Sequence, residues 1–408
     1  MATSNKSTPK IDESTPLADL YAHISDENAQ KILLEKHPHN SEMWAQTFNH
    51  YSKQADKNSS SRGVYRDFFS GCQLLVQRQT LRVLQKGEYT TPDGHVVQVL
   101  KKKKEKQIVP CDFLVLDTKK YNITYLNSKK ELKWMAENTK YYGNDDIKEI
   151  KEIKEKKEKK AEEEKTDEQI EKESSQWNEK YGCEIYVING DSIDVACNLL
   201  FFGFNPVVLN MANDVQPGGG FLRGASAQEE NLFRRTSYVC SLLNSRGGFS
   251  DSLEKNRKWK YPIQEFGCVY SPKLWVFRSN QRRGYTFLQQ PFRMSFIAGA
   301  MYRFPKFDET SRRLLFFLSA HGSNIIPLMD DELAEKVAKN CGAFANPPEH
   351  QAEIVSNVLQ EKEFYGQFKI ITFAILDDHN ARKKHNPDGN VQPFVQIFGK
   401  HDFFHANL

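Results

Sequence analysis

The sequence contains no apolar run near the ~18 residues that a membrane-spanning helix needs. It has no CxxC pair among its seven cysteines, and its first residues, MATSNKSTPKIDESTPL, hold no apolar core. Each absence closes a class. Without a hydrophobic span or a secretory pattern, the chain is expected to be soluble, with no membrane contact, and intracellular, in cytoplasm or nucleus. The cysteines (Cys72, Cys111, Cys183, Cys197, Cys240, Cys268 and Cys341) are scattered and odd in number. That fits free thiols in a reducing compartment better than a disulfide framework. Charge of one sign is also scarce: 57 Lys and Arg stand against 53 Asp and Glu, for a net charge of +4. So small an excess favours an anionic ligand slightly and gives no reason to expect direct nucleic-acid binding.

Two phosphate-binding patterns are missing as well. No GxxxxGK[ST] loop is present, and Gly218, Gly220 and Gly224 have the wrong spacing for GxGxxG. A nucleotide-dependent kinase, GTPase or dehydrogenase is therefore disfavoured. His401 and His405 have an i,i+4 metal spacing but no third ligand. No metal and no cofactor are expected.

What is present divides into segments. At 408 residues the chain has room for two or three units. Residues 1–16, rich in Ser, Thr, Lys and Pro, read as a disordered tail. From Leu17 to Gln54 the apolar spacing is helical, and a longer helix is predicted over Gly63–Lys86. Pro92-Asp93-Gly94 reads as a turn before a strand. Residues 147–176 carry alternating charges that suit a solvated helix or a disordered insertion, and Lys101–Lys104 read as a solvated loop. After Trp177 short apolar runs (184–189, 207–212, 268–272, 293–301, 324–329, 369–376) alternate with helical patterns (191–202, 228–243, 309–321, 349–362). This is the pattern of an α/β layered domain with helices on both faces.

The chemistry concentrates in PGGGFLRGASAQEE, residues 217–230. Three glycines after a strand allow backbone N–H groups to converge on an anion, and a diphosphate is the natural guest. Gln228, Glu229 and Glu230 then open an amphipathic helix. The plain readings are a tight turn and two carboxylates serving the helix dipole. Against them, adjacent carboxylates beside an anion cradle have a use: one, held protonated by its surroundings, would act as an acid at a glycosidic oxygen.

At these residues the sequence resembles the poly(ADP-ribose) glycohydrolases of the microbial-type branch, whose catalytic domain is a macrodomain. GGG, a short spacer and QEE carry the resemblance most specifically. QRQTLRVLQKGEYTTPDGHVV (77–97), NGDSIDVA (189–196), FLRGASAQEENLFRRTSY (221–238), YSPKLWVFR (270–278), CGAFANPP (341–348) and FAILDD (373–378) extend it over about residues 62–400. The resemblance implies a three-layer α/β/α macrodomain with a mixed central sheet over 177–408, joined to an N-terminal mainly helical region over 17–146.

It also implies roles. Glu230 matches the catalytic acid, and Glu229 its neighbour on the ribose hydroxyls. Gln228 belongs to the same signature, and Asn213 matches the asparagine that positions the distal ribose. Gly218, Gly219 and Gly220 match a first diphosphate loop; Cys341, Gly342, Ala343 and Phe344 match a second, with Phe344 packing on the ribose. Asp191 matches an aspartate on the adenine amino group. The implied partners are ADP-ribose or poly(ADP-ribose) and an ADP-ribosylated protein substrate. The implied reaction is cleavage of ribose–ribose O-glycosidic bonds. A mono-ADP-ribosyl-protein hydrolase and a non-catalytic ADP-ribose reader stay open beside it, the first because DDELAEKVAKN (330–340) departs from the family pattern just before Cys341.

Overall fold

The computed structural model describes residues 11–57, 62–99, 135, 138–143, 180–242, 261–264, 267–300, 307–308, 313–314, 348–360, 364–376 and 389–399. The charged segment 147–176, Lys101–Lys104, the stretch 330–340, His401 and His405 lie outside them. In chain order the described elements are α1 (Leu17–Ala22), α2 (Glu27–Lys36), α3 (Ser41–Lys57), α4 (Arg62–Lys86), β1 (Glu88–Thr90), β2 (Val96–Gln98), β3 (Lys140–Tyr142) and β4 (Glu184–Ile188). Then follow α5 (Ser192–Phe201), β5 (Val207–Ala212), α6 (Gln228–Arg235), α7 (Tyr238–Leu242), β6 (Cys268–Arg278), β7 (Phe287–Ala300), β8 (Phe307–Asp308), β9 (Arg313–Leu314), α8 (Pro348–Gln360), β10 (Ile370–Ala374) and α9 (Val391–Phe398). The chain is of the mixed α/β class. Among the described residues no helix is long and apolar enough to cross a membrane, and Cys72, Cys183, Cys197, Cys240 and Cys268 are free thiols.

Two compact units share the chain. One takes Met1–Lys140, Asn210–Pro262 and Tyr270–Ala298; the other takes Tyr141–Leu209, Ile263–Val269 and Gly299–Leu408. A four-stranded sheet, in the order β3-β6-β7-β5, has most of its residues in the first unit.

In the first unit the N-terminal helices assemble on α4. Leu20, Tyr21, Ile24, Leu33, Trp44, Leu75 and Val76 share one buried cluster. Asp26 starts α2 by accepting from the amides of Asn28 and Ala29 at 2.8 and 3.1 Å, satisfying two of the donors that a helix start leaves open. Trp44 is fully buried. Its ring stacks on Phe48 at 4.9 Å and meets Tyr285 edge-on at 5.1 Å, and its indole N–H donates to the Cys72 carbonyl at 2.9 Å. After α4, β1 and β2 form an antiparallel hairpin around the turn at Pro92-Asp93-Gly94, with Glu88 opposite Gln98.

The second unit has its own core. β4 and β10 pair in parallel, Ile185 opposite Ile371 and Val187 opposite Phe373. Tyr181, Ile185, Val187, Ala352, Leu359, Phe394 and Phe398 are buried together there. β4 has a continuous apolar centre, Ile185-Tyr186-Val187, as a strand covered on both faces requires.

Two readings of the sequence are corrected. The single helix predicted over 228–243 is broken at Thr236, which is extended (φ −135°, ψ 173°) and forms an isolated bridge with Val276. Its hydroxyl donates back to the Leu232 carbonyl at 2.8 Å and accepts from the Tyr238 amide at 3.1 Å. Thr236 thus closes one helix and caps the next. In the stretch 309–321, read as helical, the described residues Arg313 and Leu314 pair antiparallel with Phe307 and Asp308. Periodicity alone does not separate strand from helix in so short an apolar run.

Replacing Trp44 by Ala leaves a cavity between α3, α4 and Tyr285 and should cost about 3–5 kcal/mol. Urea unfolding of the variant measures this, and a midpoint within error of wild type would show that the N-terminal helices are not part of the cooperative core.

Candidate active site

The site is built by β5, the loop that follows it and the first turn of α6. β5 buries Val208, Asn210 and Ala212 in alternation, so the polar Asn210 points into the core, fully buried. Asn213 ends the strand. Its Oδ1 accepts from the amides of Val215 and Gln216 at 2.9 and 3.0 Å, an Asx turn that sends the chain into the glycines. Gly218 and Gly219 have φ of +76° and +51°, and the Gln216 side chain fastens the loop by donating to the Gly219 carbonyl at 2.7 Å.

The loop amides grip the two glutamates. Glu229 Oε1 accepts from the Gly218 amide at 2.9 Å and its Oε2 from the Asn213 amide at 2.8 Å, with Asn210 Nδ2 adding a longer contact to Oε1 at 3.4 Å. Glu230 Oε1 accepts from the Gly220 amide at 2.7 Å. The Gly219 amide, between them, closes a turn on the Gln216 carbonyl at 3.3 Å. The N–H groups that the sequence reading aimed at a diphosphate therefore have partners within the protein, two of them carboxylates. A Cβ at Gly219 would stand 2.7 Å from Glu230 Oε1 and 3.1 Å from Glu229 Oε2, so glycine is required there by space as well as by φ.

The two carboxyls differ. Glu229 is 3% exposed and both its oxygens have donors. Burial nevertheless pushes it up to about 7: desolvation outweighs the amides, which favour the charged form, and the neighbouring Glu230 charge adds to the rise. Glu230 is 6% exposed, and its Oε2 is buried with no hydrogen-bond partner among the described residues. A buried carboxyl oxygen without a partner is costly in a resting protein. It is the carboxyl oxygen of the pair left available to act on something else.

Of the other residues expected from the sequence, Gln228 Oε1 accepts from the Met211 amide at 2.9 Å, tying α6 to β5. Asp191 belongs to the second unit, where it caps α5 by accepting from the amides of Ile193 and Asp194 at 3.1 Å. Cys341, Gly342, Ala343 and Phe344 lie outside the described residues. Sequence reasoning missed Asn210, Gln216 and Arg234. Asn210 was signalled by a polar residue at an inward position of an apolar strand, and Arg234 by its place one helical turn after Glu230. Arg234 is fully buried; burial pulls its guanidinium pKa down, while Tyr285 and the Glu230 carboxylate pull it back up. Among the described residues no group of three or more His, Cys, Asp or Glu could hold a metal ion.

Residues 113–279, which include the glycine loop and both glutamates, match the family model described as the catalytic domain of microbial-type PARG. No curated protein matches the chain. Similar solved structures include a poly(ADP-ribose) glycohydrolase from Thermomonospora curvata bound to the inhibitor ADP-HPD, at 20% identity over 79% of this chain and 98% of that one, with a TM-score of 0.46. Another is the poly(ADP-ribose) glycohydrolase from Deinococcus radiodurans in complex with ADP-ribose, at 19% identity over 65% and 96% of the two chains, with a TM-score of 0.40. Neither likeness is close enough to carry a residue's role to this chain.

The raised Glu229 pKa has a definite sign in stability. In the unfolded chain the carboxyl titrates at its ordinary value of 4.5, and in the folded protein at about 7. Between those values the folded state holds the proton that the unfolded state has lost, so stability falls as pH rises through this window. Above pH 7 the full cost, on the order of 3 kcal/mol, is present. Glu229→Gln has no such titration. The stability of wild type minus that of the variant should decline from pH 4.5 to 7 and then level off in urea unfolding. A difference that does not change with pH would show that folding leaves the Glu229 pKa where it is in the unfolded chain.

Proposed function

We propose that this chain, whose residues 113–279 match the microbial-type PARG catalytic domain, is a glycosidase of ADP-ribose polymers: it cleaves the ribose–ribose O-glycosidic bond and releases ADP-ribose. One observation supports this reading most: Glu230 is anchored through Oε1 on the Gly220 amide while Oε2 is buried and without a partner among the described residues. A carboxyl held in that way is fixed in position and keeps one oxygen for chemistry. Glu230 donates a proton from Oε2 to the departing ribose oxygen as the C–O bond breaks and C1″ becomes oxocarbenium-like. Water then adds to C1″ and returns its proton to the same carboxylate, so the carboxyl is regenerated.

Glu229 stands too close in sequence to flank the sugar from the opposite face, as the second carboxylate of a two-carboxylate glycosidase does. It orients the loop through the Asn213 and Gly218 amides. Gly218, Gly219 and Gly220 serve first as the seat of the two carboxyls. Asn213 shapes the turn, and Gln228 fixes the helix start.

The test uses automodified polymer and, separately, a mono-ADP-ribosylated protein, with free ADP-ribose measured from each. Release from polymer by wild type is expected. Release only from the mono-modified protein moves the assignment to that substrate, and tight ADP-ribose binding with no release from either leaves a reader. Glu230→Gln should lower turnover by at least about 100-fold, the lower end of what a general acid contributes, with ADP-ribose affinity by calorimetry within a few fold. More than a tenth of wild-type activity in that variant would remove Glu230 from the role.

A further inference from the structure

The Arg234 guanidinium is fully buried four residues after Glu230 on α6. Its Nη2 donates to the Ala225 carbonyl and its Nε to the Gln73 carbonyl of α4 at 3.4 Å, while it lies 5.9 Å over the Phe221 ring. From Ala225 the contacts lead back to the carboxyl: the Ala225 amide donates to the Gly220 carbonyl at 3.1 Å, and the Gly220 amide donates to Glu230 Oε1 at 2.7 Å. One turn of α6 thus closes a ring with the 220–225 turn, Glu230 holding its near side and Arg234 its far side.

We infer that Arg234 is a positioning residue for Glu230: by spanning the Ala225 and Gln73 carbonyls it holds the 220–225 turn so that the Gly220 amide meets the carboxyl. This rests on the glycosidase reading for its kinetic consequence and on the contacts alone for its structural one. A merely structural arginine tying α6 to α4 would change stability and leave the chemistry of folded molecules intact. A positioning arginine changes kcat. Arginine suits the place because its planar fork reaches two acceptors at once, which a lysine ammonium on a flexible stem does not.

The experiment takes the full chain as Arg234→Lys and Arg234→Met. It measures kcat and KM for ADP-ribose release from automodified polymer and the melting temperature, and solves a crystal structure of each folded variant. The Met variant should lose about tenfold or more in kcat with KM within about threefold, since a small misplacement of a catalytic group is amplified in rate. The Lys variant should fall between it and wild type. In both structures the 220–225 turn should shift and the Gly220 N to Glu230 Oε1 contact lengthen beyond hydrogen-bonding range. A folded variant with wild-type kcat overturns the inference, as does a lowered kcat with that contact retained. If the Met variant does not fold, the Lys variant decides by the same two readings. Wild type that releases nothing from polymer refutes the glycosidase reading separately; the Lys structure then stands alone, and an unmoved contact in it overturns the inference.

Discussion

Two adjacent carboxyls, almost wholly buried, are held by main-chain amides of one glycine loop, and the local architecture follows from that requirement. A buried carboxylate without donors is prohibitively costly and responds by taking a proton. Here the donors are backbone N–H groups at Asn213, Gly218 and Gly220. They converge only because the chain between them has positive φ at Gly218 and Gly219 and because the space over Gly219 is filled by the glutamate oxygens. Among the described residues the supply is incomplete by one oxygen, Glu230 Oε2, and the burial is deep enough to push the Glu229 pKa up to about 7.

A loop under such demands needs a rigid floor, and the N-terminal helices provide it. Gly224, at φ +74°, lies so close to α4 that a Cβ would stand 2.7 Å from the Ser70 carbonyl. The Thr80 hydroxyl donates to the Arg234 carbonyl at 2.5 Å and the Gln73 carbonyl receives the Arg234 side chain. Farther along the same helix, Gln79 accepts from Arg278, a guanidinium that also donates to the Tyr285 carbonyl and stacks 3.7 Å over Phe287. Those partners are neutral, and burial lowers the Arg278 pKa to about 9. The helical region that precedes the sheet in sequence is therefore structural support for the glutamates, which accounts for one compact unit drawing on both.

Much of this was legible before any coordinates. The long α4, the turn at Pro92-Asp93-Gly94, β5 over 207–212 and the pairing of GGG with QEE each follow from a local signal: periodicity, turn chemistry, or a motif. What was not legible is partner choice. Glycine amides are donors to any anion, and the pattern alone favoured a diphosphate. It does not reveal that the anions gripping Gly218 and Gly220 are carboxyls eleven and ten residues farther on in the same chain. Likewise the break at Thr236 depends on a bridge to Val276, forty residues away, which no window over 228–243 contains.

The order of Gln228, Glu229 and Glu230 has its own logic. Successive side chains at a helix start diverge by about 100°, so three neighbours reach three different pieces of backbone. Gln228 takes the Met211 amide on β5, Glu229 the amides of Asn213 and Gly218 at the two ends of the turn, and Glu230 the Gly220 amide. The triplet stitches the helix to strand end and loop through acceptors that only side-chain oxygens supply. A carboxyl bound in this way is positioned by main-chain atoms, on a helix start whose dipole favours negative charge. The same stitching forces Glu229 and Glu230 to approach the site from one side. In the proposed reaction the acid and its neighbour therefore cannot divide the work across the sugar ring, and one carboxyl, Glu230, must both give the proton and take it back.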